Sequence, residues 1–363
     1  MKIEVVDLFC GVGGLTCGLN QSGLKVKAGF DIEKACKYPY EFNNKAKFYE
    51  KDIRDVTGIE INKCYSKNAI KVLAGCAPCQ PFSQMSFKYQ HNEKTKREND
   101  KRYDLLLEFA RLIKESQPDI VSMENVPKIK DTYIFEEFLK TLKECGYQVD
   151  YRVVYCPDYG IPQNRRRFLL LAAKGKKINL LDKTHSKESY VTVRDVIANL
   201  PHVNAGEICP TDFLHQSAKL SNKNLQRIHI SKPGGSWKDW PKELRCLCHQ
   251  KETGQTYTSV YGRMEWDKVA PTITTQFYCY GTGRYGHPEQ DRALTLREGA
   301  LIQTFPIDYQ FTEPNQPFSF KDTAKKIGNA VPVKLGEIIG KSIKLHLLNL
   351  KKEQKKNEQF KTI

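Results

Sequence analysis

Short apolar runs, each broken by a glycine or carboxylate and followed by a helical pattern, constrain this chain more than any other feature. Residues 3–9 read as a buried strand, which the cluster Gly11-Val12-Gly13-Gly14 turns into a helix over 15–21. Residues 26–30 read as a second strand, ended by Asp31. Residues 70–75 form a third run without polar alternation, as expected of a strand covered on both faces. Over 104–116, Leu105, Leu106, Phe109, Leu112 and Ile113 share one helical face. Residues 119–123 predict a strand, and 134–145 a helix with Gly146 at its end. Residues 147–155 and 168–173 pair as a closing hairpin. Such alternation predicts an α/β fold with a doubly wound, Rossmann-like sheet.

After about residue 174 the texture changes. Gly, Pro, Ser and Thr become frequent and long helical periodicity disappears until 333–350, whose Lys-rich continuation 351–356 reads as a frayed, solvated end. The expected division is therefore a discontinuous large domain, 1–185 plus 322–363, and a smaller irregular domain over 186–321 with a hinge. Lys and Arg number 58 against 42 Asp and Glu, a formal charge of +16 that suits a polyanionic partner. Lysine-rich codon usage would give the same excess, so charge alone decides nothing. No stretch approaches the ~18 apolar residues of a membrane helix, and the acidic start does not resemble a signal peptide. A cytoplasmic protein with reduced thiols is expected from twelve cysteines in this setting. Cys76-x-x-Cys79 and Cys246-x-Cys248-His249 have spacings that invite zinc. Neither has a second partner pair, so no metal is expected.

The glycine turn lacks both the dinucleotide spacing and the Lys-Ser/Thr of a phosphate-cradling loop. Asp31, 20 residues after Gly11, stands where a carboxylate would accept ribose hydroxyls, and Asp52 could meet an adenine amino group. A nucleoside without pyrophosphate fits, and S-adenosylmethionine satisfies that. Beyond the 70–75 strand, two prolines bracket Cys79-Gln80 and stiffen the loop. Glu124-Asn125-Val126-Pro127 ends another strand, and Gln163-Asn164-Arg165-Arg166-Arg167 opens a third. Singly, such a cysteine is usually inert packing, such a glutamate a solvated charge, and three arginines a surface patch. None of these readings accounts for all three groups on one sheet edge.

The ordered blocks DLFCGVGG from Asp7, GCAPCQPFS from Gly75, ENV from Glu124, QNRRR from Gln163, REGALIQTFP from Arg297 and GNAVP from Gly328 resemble the signature of DNA cytosine-5 methyltransferases of the bacterial restriction-modification type. That resemblance covers the chain from its second residue to about Leu350. It implies a S-adenosylmethionine-dependent methyltransferase sheet with a target-recognition domain. By resemblance Cys79 is the nucleophile, adding to carbon 6 of cytosine so that carbon 5 can attack a methyl group. Glu124 holds the base edge and protonates N3, Arg167 and Arg165 bind the base carbonyl or a nearby phosphate, and their charge favours the Cys79 thiolate. The implied cofactor contacts are Phe9, Gly11, Gly13, Gly14, Leu15, Asp31, Ile32, Asp52, Ile53, Pro78, Leu105, Asn329 and Val331. Cys10, Cys76, Cys156 and Cys279 are read as packing residues.

Methylation inside a duplex requires the base to be flipped out. The resemblance implies that Ser83 contacts the DNA backbone near the flipped nucleotide, and that the basic segment 84–102, with Gln84 and Lys88 as DNA contacts, closes over the duplex. Gln163, Arg227, Arg245, Tyr257, Arg263 and Arg284 are the candidate DNA contacts beyond it, and Arg297 is expected to organise the recognition domain. Double-stranded DNA is the implied partner of a monomer in the bacterial cytosol. It needs no obligatory protein partner, although a restriction endonuclease could act beside it. A tRNA-methylating relative is the nearest rival, disfavoured by the sequence after ENV and the ample recognition region. A catalytically dead binding module is disfavoured by the intact Cys79, Glu124 and Arg167. No Pro-Pro-aromatic segment supports methylation of an exocyclic amine.

Overall fold

The first apolar run becomes β1 (Ile3–Leu8), with all six residues buried. The computed structural model describes residues 1–78, 104–313 and 316–360. Contacts divide the chain into two units: Met1–Tyr155, Arg166–Lys183 and Val331–Ile363 form the first, Cys156–Arg165 and Thr184–Ala330 the second.

In the first unit β1 is joined by β2 (Lys25–Asp31), β3 (Lys47–Glu50), β4 (Ile70–Gly75), β5 (Ile120–Asn125) and β6 (Tyr147–Tyr155). A two-residue strand of the second unit, β7 (Gln163–Asn164), precedes the last member, β8 (Arg166–Lys174). The seven strands run in the order β3-β2-β1-β4-β5-β8-β6. The first five are parallel, whereas β8 lies antiparallel to both β5 and β6. Strand order reverses between β1 and β4, which opens a crevice at their carboxyl ends, the usual ligand position in such sheets. Because β8 is antiparallel, it starts at the edge where β5 stops. Asn125 lies opposite Phe168 and Glu124 opposite Leu169. That inversion delivers the arginine cluster to the crevice.

The helices Leu105–Ser116 and Tyr133–Glu144 bury Phe109, Leu112, Phe135 and Phe138 in one core with Val6, Leu8, Leu73, Val121 and Met123. Phe135 meets Phe168 edge to face at 5.0 Å, and Thr132 caps its helix by accepting from Phe135 N. Strand β5 runs two residues further than the sequence suggests, so Glu124 and Asn125 are strand residues, both buried. The carboxyl-terminal helix also exceeds its expected end, continuing from Val333 through Phe360. Lysine, glutamate and glutamine are good helix formers, and Glu353 pairs with Lys176, so the expected fraying at 351–356 is not seen, although these side chains are exposed. Among the described residues no helix is long and apolar enough to cross a membrane.

The second unit has little regular structure. A short hairpin joins β9 (Ile208–Cys209) to β10 (Asp212–Gln216), and β11 (Ala270–Pro271) pairs with β7. Its core is aromatic, with Trp237, Trp240 and Tyr280 around Leu220 and Ile228. Arg292 donates to both oxygens of fully buried Glu298, at 2.8 and 2.7 Å. Arg263 donates to the carbonyls of Ile228, Ser231, His287 and Gln290. Buried guanidinium groups thus satisfy backbone oxygens that a sheet would otherwise pair.

Within the first unit, the helix Gly14–Gln21 packs closely on Val333–Phe360. A Cβ on Gly18 would lie 2.0 Å from Val333 O and 2.5 Å from Glu337 N. Gly18→Ala is therefore expected to lower the unfolding free energy by about 1–3 kcal/mol in a urea titration. That sign holds although alanine is the better helix former by about 1 kcal/mol.

Candidate active site

The turn after β1 is wound so that its backbone can approach a ligand. Phe9 adopts φ 58 and Gly13 φ 90, both left-handed, the first costly for a side-chain-bearing residue. Gly11 N donates to Asp31 Oδ2 at 2.8 Å, and Glu33 N donates to Asp31 Oδ1 at 2.9 Å. Asp31 thereby ties the end of β2 to the glycine turn. Burial raises its pKa against the pull of those two donors. A carboxylate has about four lone-pair sites, so acceptor capacity remains for hydroxyls. A Cβ on Gly11 would meet nothing within 4 Å. Ile32 beside it is 69% exposed and offers an apolar face. Asp52 accepts from Arg54 N and Nη1 at 3.0 and 2.8 Å, and caps the short turn that buries Ile53. Gly14 and Leu15 are buried at the start of their helix, while Leu105 and Pro78 are half-buried. Val331 is buried in the first unit; Asn329 is an exposed helix end in the second.

Strands β4 and β5 supply the second cluster. Register pairs Gly75 with Met123, so the next residues, Cys76 and Glu124, are neighbours across the parallel strands. Cys76 Sγ donates to Glu124 Oε2 at 2.7 Å. Arg167 Nε stands 2.8 Å from Glu124 Oε1, with the carboxylate 3% exposed and the guanidinium 13%. The approach is close but off the hydrogen-bond direction, so Oε1 is ion-paired yet accepts no hydrogen bond. That leaves a buried carboxylate oxygen able to take a donor from a substrate. Asn125 Nδ2 donates to Ala77 O at 3.2 Å and fixes the chain just beyond β4. Cys79, Ser83, Gln84, Lys88 and the basic segment 84–102 lie outside the described residues.

In the second unit, several residues expected to contact DNA have partners within the protein. Gln163 is fully buried, its amide shared among Ile302 O, Gln303 Oε1, Ile273 N and Arg165 Nη1, and has no group to offer DNA. Arg165 is buried in this unit and also donates to Ile273 O. Arg227 donates to Leu244 O and Asn224 Oδ1 and lies over the rings of Trp240 and Tyr261. Arg263 is the buried hub described above. Arg245 donates to Trp240 O and Lys238 O, and Arg284 to Gly235 O. These guanidinium groups are engaged inside the protein; a sequence cannot say whether an arginine meets a phosphate or a carbonyl. Tyr257 is exposed. Arg297 pairs with Asp212 at 2.6 and 2.9 Å, an organising contact as expected. Cys10 and Cys156 are buried, but Cys279 is exposed and is no packing residue.

A family model for C-5 cytosine-specific DNA methylases matches residues 3–345. The chain belongs to that family. This cytosine-5 methylase is 52% identical over 354 residues to the Type II methylase M.HgiDII of Herpetosiphon aurantiacus, covering 97% of this chain and 98% of that one. It is 32% identical to the Type II methyltransferase M1.BsuMI of Bacillus subtilis, over 93% of this chain and 79% of the relative. In fold it is similar to a prophage-encoded Escherichia coli protein solved as a DNA modification methyltransferase. That likeness has a TM-score of 0.72 at 22% identity and covers 96% and 100% of the two chains. The fold likeness agrees with the predicted α/β, Rossmann-like methyltransferase sheet. The methylase's Cys76 was not singled out by its sequence context. Adjacency of the two strands it joins was the signal that would have found it.

Asp7, buried at the crevice end of β1, accepts from Thr16 Oγ1 at 2.6 Å. Burial pushes its pKa up to about 7, against the lowering effect of that hydrogen bond. The folded protein keeps a proton that an unfolded chain releases near about pH 3.9. Stability is therefore expected to fall as pH rises from about 4 towards 7, by up to about 1.4 kcal/mol per pH unit. Asp7→Asn should flatten that slope in unfolding titrations at several pH values.

Proposed function

We propose that this methyltransferase moves a methyl group from S-adenosylmethionine to carbon 5 of a cytosine turned out of a specific short DNA duplex sequence. Its role would be to protect host DNA in a restriction-modification system. The similarity to Type II methylases supports the role. The observation that supports the chemistry most directly is Glu124, buried between Cys76 and Arg167 with one oxygen lacking a hydrogen bond. It lies one residue before the end of β5, beside the strand whose sequence runs on through Cys76-Ala77-Pro78 to Cys79.

In this reading the Cys79 thiolate forms a bond to carbon 6 of the ring. Ring electrons move towards carbon 5, while Glu124, having taken a proton from water on Oε1, passes it to N3 to offset the charge growing there and takes it back when the thiolate leaves. Arg167 and Cys76 hold the carboxyl in place and prevent it from swinging away. Carbon 5, now enamine-like, becomes the methyl acceptor. Loss of the carbon 5 proton to water and release of the thiolate restore the aromatic ring. When bound, S-adenosylmethionine supplies an electrophilic sulfonium methyl group. Asp31 would hold its ribose, the turn from Phe9 to Gly14 would pass beneath its amino-acid end, and Ile32 with Ile53 would flank its adenine.

The extrusion of the base follows from geometry, since carbon 5 cannot be attacked from above and carbon 6 from below within a stacked duplex. Ser83, Gln84 and Lys88 remain the proposed backbone contacts. Target reading is assigned to the second unit, where Tyr257 is exposed and Arg245 and Arg284 are half-buried with donors to spare.

Incubation with labelled S-adenosylmethionine and mixed-sequence DNA, followed by nucleoside digestion, is expected to yield 5-methylcytosine. Cys79→Ala should abolish the label, and Glu124→Gln should lower kcat by about 10²–10⁴. Label on tRNA alone, or in an exocyclic methylamine, would contradict the proposal.

A further inference from the structure

Among the described residues, the second unit holds a cluster of soft ligands. Cys246, Cys248 and His249 each offer a donor atom within 4.8 Å of the others. We propose that these three residues bind a thiophilic divalent cation, zinc by preference, which pins their loop to the aromatic core of the second unit.

The local fold gathers the donors from a single turn of chain. Cys246 precedes the one-turn helix Leu247–Gln250, and His249 N donates to Cys246 O at 2.9 Å. The following turn, Glu252–Gly254, folds back so tightly that a Cβ on Gly254 would lie 1.8 Å from Cys248 O. In a tetrahedral zinc site with Zn–S about 2.3 Å and Zn–N about 2.0 Å, donors stand roughly 3.6–3.8 Å apart. The cluster must therefore close by about 1 Å at most, which side-chain rotation can supply.

Three further features favour a cation. His249 is 6% exposed, and its Nδ1 has no hydrogen-bond partner, a buried polar atom that is costly to leave so. Its ring is clamped by stacking on Trp237, with centroids 4.1 Å apart and planes inclined by 19°, so the imidazole arrives preoriented. Tyr261 lies edge-on to His249 at 5.9 Å, and its hydroxyl is hydrogen-bonded with the Cys246 side chain, an outer contact of the kind that orients a metal-bound thiolate.

Charge also balances. Two thiolates cancel the two positive charges of the ion, so the nearby Arg227 meets a neutral complex instead of a third cation. Cys248 is exposed and Cys246 half-buried, which gives the ion a path from solvent and a fourth position for water. Three ligands from one turn and a water make a complete set, so the site does not need the second pair on whose lack the sequence expectation of no metal rested.

The full chain, purified in zinc-containing buffer and freed of loose metal, should carry about one zinc per molecule by mass spectrometry, as a single site of this type requires. Cobalt loaded in its place should show tetrahedral ligand-field bands and thiolate-to-cobalt charge transfer. Cys246→Ser/Cys248→Ser should lose both signals, and Cys279→Ser should keep them. Because Cys248 is exposed, Cys248→Ser alone should fold normally, yet weaken zinc roughly tenfold or more in a chelator competition. A chain that takes up no stoichiometric zinc or cobalt when metal is in excess would overturn the proposal. So would metal uptake that survives both the single and the double substitution.

Discussion

A carboxylate held almost out of water, between a guanidinium and a thiol, is the constraint on which the catalytic edge depends. Glu124 cannot be buried at the end of β5 without partners, because an isolated buried charge is costly. Arg167 comes from β8 only because that strand is antiparallel and begins where β5 ends. Cys76 arrives from the other side because β4 is parallel and in register. The sheet's one inversion and one register therefore decide the geometry of the carboxylate. Asn125, a residue further on, fixes the chain past β4 through Ala77 O.

The glycine turn and Asp31 form a second construction on the same edge. There the backbone is bent into left-handed conformations at Phe9, Gly11 and Gly13, and a carboxylate from the next strand holds the bend. The first construction is built on β4, β5 and β8 and the second on β1 and β2, so they meet where β1 lies beside β4, the pair at which strand order reverses. The second unit is held differently. Its arginines stitch carbonyls into a core that has few regular hydrogen-bond ladders, and Trp237, Trp240 and Tyr261 provide the apolar mass.

Much of the first unit was legible in the sequence. Strands β1, β4 and β5 are covered on both faces, and their unbroken apolar runs announce them; the face with Leu106, Phe109, Leu112 and Ile113 announces its helix. Six ordered blocks gave the family directly. Side-chain partners were not legible. Nothing in the spacing of Arg227 or Arg263 tells that each bonds to carbonyls, and Gln163 reads as an exposed motif residue although its amide is consumed within the unit. Cys76 looked inert because its partner lies 48 residues away on a neighbouring strand. The cluster at Cys246 was discounted for want of a second cysteine pair; the burial of His249 and its stacking on Trp237 come from tertiary surroundings that spacing does not show.

The most direct test of the account is covalent trapping. A duplex containing the target sequence, with 5-fluorocytosine at the methylated position, presents a fluorine where the carbon 5 proton must leave. The sulfur–carbon bond should then persist after methyl transfer. Intact-mass analysis is expected to find protein joined to DNA in a complex stable to denaturant, with peptide mapping placing the link at Cys79. Absence of any adduct, while the same preparation methylates the unfluorinated duplex, would contradict nucleophilic attack by this thiol.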